Sequence, residues 1–375
     1  MQIQETTLLT GPYDWDKRAL PLVEFDARLQ SVRAQMEKAG VNVLIVHGDP
    51  GQYNALAYLT NFTPKNGTGL ALVPREGPLR ILSSGTPKMM DAAKRLTWVE
   101  DVRPIGNAPK NLGEFVKGGD VLATWNFGTL PQALYAGIAK AVAPRALLSL
   151  DTVLDAARWR KSPCELDLIR GAARFLTIAS EAFAASVRAG KGVRSAALAA
   201  ERAAIAAGAQ DARVMASLSP GGVPLPLDAA LDERVLDPAN AGIAVQNHGY
   251  WASGYVTISR AFASVDTPGA VRARAREALT AALAVARGGA HLPEGVVANA
   301  IGLSLDEGQG AILLAGAVYA MTSSATEGGE TAYACRRSSR SGKTAARSCG
   351  VKRHDVGARR LNELVPREGH PLLRL

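Results

Sequence analysis

The chain has 375 residues, of which 47% are apolar and 21% charged, with a net charge of +9. That composition is ordinary for a soluble globular protein of two domains with ample core, and no apolar run reaches the roughly 18 residues that a membrane helix needs. The opening "MQIQETTLLTGPYDWDKRAL" carries acids early and no signal-type apolar stretch. The three cysteines suit neither a disulfide framework nor a zinc site, so a reducing, cytoplasmic setting is expected.

Residues 24–39 carry apolar residues at helical spacing and stop at Gly40. "VNVLIVHG" reads as a buried strand, "QYNALAYLTNF" as a short helix running into a turn, and "GLALVP" with "LRILSS" as a strand pair. "TPKMMDAAKRL" reads as a helix. Strands alternating with helices predict an α/β domain over residues 1–155. A second, α+β domain is expected over 156–334. It opens at Ser162-Pro163, a cap followed by proline at the first helical position, with Glu165 in the first turn. The helix runs to about Ala189, and "RSAALAAERAAIAAGA" gives a second one ending at Gly208. "ARVMASLS" is a strand, "PGGVPLPLD" a loop, and "AVQNHGYWASGYVTISRAF" a hairpin. The helix "VRARAREALTAALAVARG" and further strands around "NAIGLSLDEG" and "AILLAGAVYAMTSS" close the domain.

Eight of the nine net positive charges fall between Cys335 and Leu361, in a segment without helical or strand period. Residues 335–375 are therefore expected to be a solvated basic tail. A phosphate-binding arm and a change of reading frame near Tyr333 are the alternatives. With the rest of the chain close to neutral, nucleic acid is not the expected partner despite this segment.

The stretches "RWRKSPCELDLIRGAARF", "ALAYLTNF", "GYWAS" and "NAIGLSLDEG" resemble, in order and spacing, those of the creatinase/aminopeptidase P/methionine aminopeptidase family. The resemblance implies a creatinase-like N-terminal domain followed by a pita-bread domain, in a homodimer. It also implies two metal ions on two Asp, one His and two Glu. Carried over position by position, the two Asp fall on Gly242 and Ser253, the His on Asn299, and one Glu on Thr322. The second Glu has no visible match in the basic segment. A further family histidine falls near Leu225 or Pro226, and another on Asp306. Divalent ions need anionic oxygens or imidazoles at about 2.0–2.2 Å, so no metal and no other cofactor is expected.

Strand alternation places Gln246, Trp251, Ser253 and Tyr255 on the face of the emptied cradle. With Asn299 and Thr322 they would line a neutral, partly aromatic pocket for a small organic molecule. The rings of Trp251 and Tyr255 could equally be filler. Arg213 could bind a substrate carboxylate or form a structural ion pair. Asp306, Glu307, His248 and His291 are the acid–base candidates, each weighed against a plain turn or loop role. The resulting expectation is a metal-independent hydrolase or lyase. The alternatives are a non-catalytic pita-bread protein that binds a ligand or partner, and a divergent Xaa-Pro-type peptidase.

Overall fold

A computed structural model of the chain describes residues 14–227, 234–260, 270–286, 288–293, 296–305, 307, 313, 314, 317–327 and 330–340. The run "VLIVHG" becomes β1 (Val43–Gly48), buried at every position. It lies inside a six-stranded mixed sheet with β2 (Gly69–Pro74), β3 (Arg80–Ser83), β4 (Val102–Pro104), β5 (Leu122–Trp125) and β6 (Leu147–Ser149), in the order β4-β3-β2-β1-β5-β6. A strand buried on both faces needs apolar residues at every position rather than at alternate ones. Leu44 and Val46 pack toward α1 (Leu22–Lys38), α2 (Asn54–Thr60) and α3 (Pro87–Arg95). Val43 and Ile45 pack the other way, toward α4 (Ala108–Phe115) and α5 (Gln132–Val142).

A short helix, α6 (Asp151–Trp159), leads into the long α7 (Pro163–Arg188). The start of α7 is fixed by a reciprocal cap. Ser162 Oγ accepts from the Glu165 amide at 3.2 Å, and Glu165 Oε2 accepts from the Ser162 amide at 2.9 Å. Together α7 and α8 (Val193–Ala206) cover a second sheet, ordered β10-β9-β7-β8, of β7 (Asp211–Ser217), β8 (Pro224–Pro226), β9 (Ala239–Asn247) and β10 (Tyr250–Ile258). Gly171 lets α7 come this close: a Cβ there would overlap the side chain of Asn247, whose Nδ2 donates to the Leu168 carbonyl at 2.9 Å. A third sheet, ordered β11-β12-β13, comprises β11 (Val296–Ala300), β12 (Val318–Glu327) and β13 (Glu330–Arg340), with α9 (Ala270–Val285) packed against it. Among the described residues no helix is long and apolar enough to cross a membrane.

The two domains share one core, since Tyr250, Ile301 and Val318 join the cluster built around α1, α2 and β1. Arg28 anchors the junction from inside. Its Nη1 donates to the Tyr58 carbonyl at 2.9 Å and its Nη2 to the Tyr250 hydroxyl at 3.1 Å, and Glu165 stands 3.8 Å away.

Three expectations change here. The Pro/Gly loop contains a short edge strand, β8, because Pro224–Pro226 can lie against β7 without needing proline amides on the open side. Cys335–Arg340 belong to β13, where pairing with β12 overrides a composition that reads as solvated; residues 341–375 lie outside the described part. The expectation of a reducing setting without disulfides changes as well: Cys164, buried in the first turn of α7, is disulfide-bonded. A cut after Ala334 removes half of β13 and should melt several degrees below a cut after Arg340. Equal melting of the two would mean that the Cys335–Arg340 pairing contributes nothing.

Candidate functional site

The hairpin β9–β10 turns through His248 and Gly249, both at positive φ (48° and 83°), as a two-residue turn of this twist requires. Its register sets Gly242 opposite Tyr255, Ala244 opposite Ser253 and Gln246 opposite Trp251. On the other side of β9, β7 sets Asp211 beside Gln246, Arg213 beside Ala244 and Met215 beside Gly242. Tyr53, just before α2, reaches this face from the first domain. Its hydroxyl accepts from Gln246 Nε2 (2.6 Å) and Trp251 Nε1 (2.8 Å) and donates to the Gly249 carbonyl (3.2 Å). Burial pushes the Tyr53 phenol up to about 12, so it is a neutral hydroxyl at physiological pH. Trp251, 3% exposed, is thereby held by its indole N–H. The Arg213 guanidinium lies 4.6 Å from its ring centre and is steadied by Asp211 Oδ2 at 3.1 Å (Nε) and 3.0 Å (Nη2). Lys65 sits near Asp211 and Arg213, and burial lowers its pKa.

The opposite wall comes from α6 and the 303–307 loop. Asp155 Oδ1 accepts from Trp125 Nε1 at 3.0 Å and from Arg158 Nη1 at 3.0 Å. Arg158 Nη2 and the Leu303 amide donate to Glu307 Oε1 at 3.2 and 3.1 Å, and Lys161 Nζ donates to Glu307 Oε2. Burial alone would raise the Glu307 pKa, but the charges of Lys161 and Arg158 outweigh it and hold the carboxyl below its ordinary value. Between the two walls lies a cleft of about 510 Å³ lined by residues including Gln52, Tyr53, Asn126, Asp155, Arg213 and Trp251.

Residues 28–159 match the creatinase/prolidase N-terminal domain. The chain has the creatinase/prolidase fold. Its shape is similar to that of the X-Pro aminopeptidase of Thermotoga maritima at 18% identity, with 85% of this chain and 98% of that one covered and a TM-score of 0.65. The prolidase of Pyrococcus horikoshii gives 16%, 85%, 99% and 0.65 for the same measures. The dipeptidase PepE of Mycobacterium ulcerans gives 17%, 90%, 99% and 0.58. At such identities the likeness is one of fold. No curated protein sequence matches the chain.

Within this creatinase-like fold, the sequence-derived candidates are dispersed. Arg213, Trp251 and Glu307 line the cleft, and Gln246 stands behind it on Tyr53. Ser253 is half-buried on the hairpin face. Tyr255 stacks on Tyr333, with ring centres 5.0 Å apart. Asn299 and Thr322 stand on the third sheet, opposite Ala320 and Val297, and Asn299 Oδ1 is buried with no hydrogen-bond partner among the described residues. His248 is at the hairpin turn, 3.8 Å from Asp16, and lines no part of the cleft; burial lowers its pKa. His291 is exposed, and Asp306 lies outside the described residues. Glu307 faces two buried cations, Lys161 and Arg158, which hold it ionised. Tyr53, Asn126, Asp155 and Arg158 also line the cleft; they come from the first domain and from α6, and no sequence motif joins them to the hairpin.

The metal pair that the fold family implies does not fit these residues. Gly242 offers no donor, and a Cβ there would stand 2.8 Å from Tyr255 Cε1 and 3.3 Å from Met215 Cε. Ser253, Asn299 and Thr322 are neutral. Among the described residues no three His, Cys, Asp or Glu side chains converge as a metal cluster.

Proposed function

We propose that this chain binds a small organic carboxylate in the cleft between its domains, without a metal ion. The observation that carries this reading is Arg213 stacked on the buried ring of Trp251. Asp211 occupies its Nε and one Nη2 position, and among the described residues nothing bonds Nη1. A planar guanidinium fixed in this way presents a fork suited to a carboxylate, and the Trp251, Trp159 and Tyr53 rings suit an apolar body. A metal-independent hydrolase or lyase is the second reading, and it rests on Asp155, a carboxylate on the cleft wall with 45% of its side chain exposed. Homodimer formation belongs to the same proposal, whereas the ground for a cytoplasmic place, three cysteines kept reduced, does not survive the Cys164 disulfide.

Titration calorimetry with benzoate tests the first reading. Saturable binding is expected, weakened at least tenfold by Arg213→Ala, whose mostly exposed side chain should be removable without unfolding. Equal affinity in both proteins, or no binding, overturns it. Elemental analysis should find no stoichiometric Mn, Fe, Zn or Co, and chelators should leave the melting curve unchanged. Metal-dependent cleavage of an Xaa-Pro dipeptide would instead make the chain a divergent peptidase.

A further inference from the structure

We infer that the ring of Tyr255 has taken over the seat of the hairpin's lost metal centre, so that the inner face of the hairpin is filled rather than merely stripped of ligands. Tyr255 lies directly opposite Gly242 across β9 and β10. A Cβ at 242 would come within 2.8 Å of Tyr255 Cε1 and 3.2 Å of Cδ1, closer than packed carbons sit. Gly242 is not among the residues at positive φ, so its backbone would accept any side chain. It is the ring that demands glycine there, as when an aromatic side chain covers a strand glycine. The ring cannot simply swing away. Tyr333 of β13 stacks on it at 5.0 Å and an interplanar angle of 24°, and the Tyr333 amide donates to Thr257 Oγ1 of β10 at 3.0 Å. Met215 Cε stands on the neighbouring strand, 3.3 Å from the same Cβ position. A carboxylate at 242 would therefore have to project into volume already held by the Tyr255 ring and the Met215 methyl group. The inference stands on these contacts and is independent of what occupies the cleft.

A thermal-denaturation cycle on the full chain tests it with Gly242→Ala, Tyr255→Ala and the pair. Gly242→Ala alone should lower the melting midpoint by about 4 °C or more. Placed on Tyr255→Ala, it should shift the midpoint by less than about 1 °C. Tyr255→Leu serves as the background if the alanine variant fails to fold, and in Tyr255→Phe the full cost of Gly242→Ala should persist. An equal cost in the presence and absence of the ring overturns the inference. So does Mn(II) binding by G242D/S253D while Tyr255 is in place.

Discussion

Glu307→Ala is expected to destabilise the protein by about 3–5 kcal/mol, because it leaves two buried cations without their counter-charge. The side chains of Lys161, Glu307 and Arg158 are 2%, 2% and 5% exposed. Lys161 retains the Arg158 carbonyl at 2.7 Å and Arg158 retains Asp155, but neither replaces the shared carboxylate. The effect should reach the interdomain cleft as well, since Arg158, which loses its partner, also holds Asp155 on the cleft wall. Urea unfolding at neutral pH measures the loss, and a change below about 1 kcal/mol would mean that the cations are hydrated in solution. The same group predicts an acid limit. Its pKa is lowered in the folded state, so its stabilisation is fully present above the unfolded value of about 4.3. It is lost as pH falls from there through the lower folded value. As pH falls below about 4.3, the wild type should therefore lose stability more steeply than Glu307→Gln, in which this titration is absent.

Trp251→Ala should cost about 3–5 kcal/mol, the range for deleting a buried aromatic ring. It should also abolish carboxylate binding, because the Arg213 guanidinium loses the surface it lies on. Trp251→Phe separates the two effects. It keeps a ring beneath Arg213 and loses only the N–H bond to Tyr53, worth about 0.5–1.5 kcal/mol, so affinity should fall far less than in the alanine variant. Denaturant unfolding and calorimetry normalised to folded protein read these out together. Unchanged affinity in Trp251→Ala would place the ligand elsewhere.

Much of the fold was legible because it rests on local patterns. The unbroken "VLIVHG" announces a strand covered on both faces, and Ser162-Pro163 with Glu165 announces the first turn of α7 through a cap spanning four residues. The hairpin was legible from its alternation and from the His248-Gly249 pair at its tip. The alternation also put Gln246, Trp251, Ser253 and Tyr255 on one face, and strand pairing keeps them there. The basic composition beyond Ala334 misled, because composition measures how well a segment tolerates water and not whether a neighbouring strand offers it a ladder.

The site was less legible, since its members meet only after folding. Glu307 looks like an available acid in "LDEG"; its cations, Lys161 and Arg158, are 146 and 149 residues away in the chain. Tyr53 lies almost 200 residues before Gln246 and Trp251, yet its hydroxyl fixes both. Gly242 looks like an eroded ligand position until the ring of Tyr255 is seen lying against it. The sequence alone determined which segments form strands and helices and which faces they bury, because those follow from backbone periodicity over a few residues. Tertiary structure alone decided which charges are neutralised, which ring lies against Gly242 and where the cleft opens, because these depend on distances between residues that no local period relates.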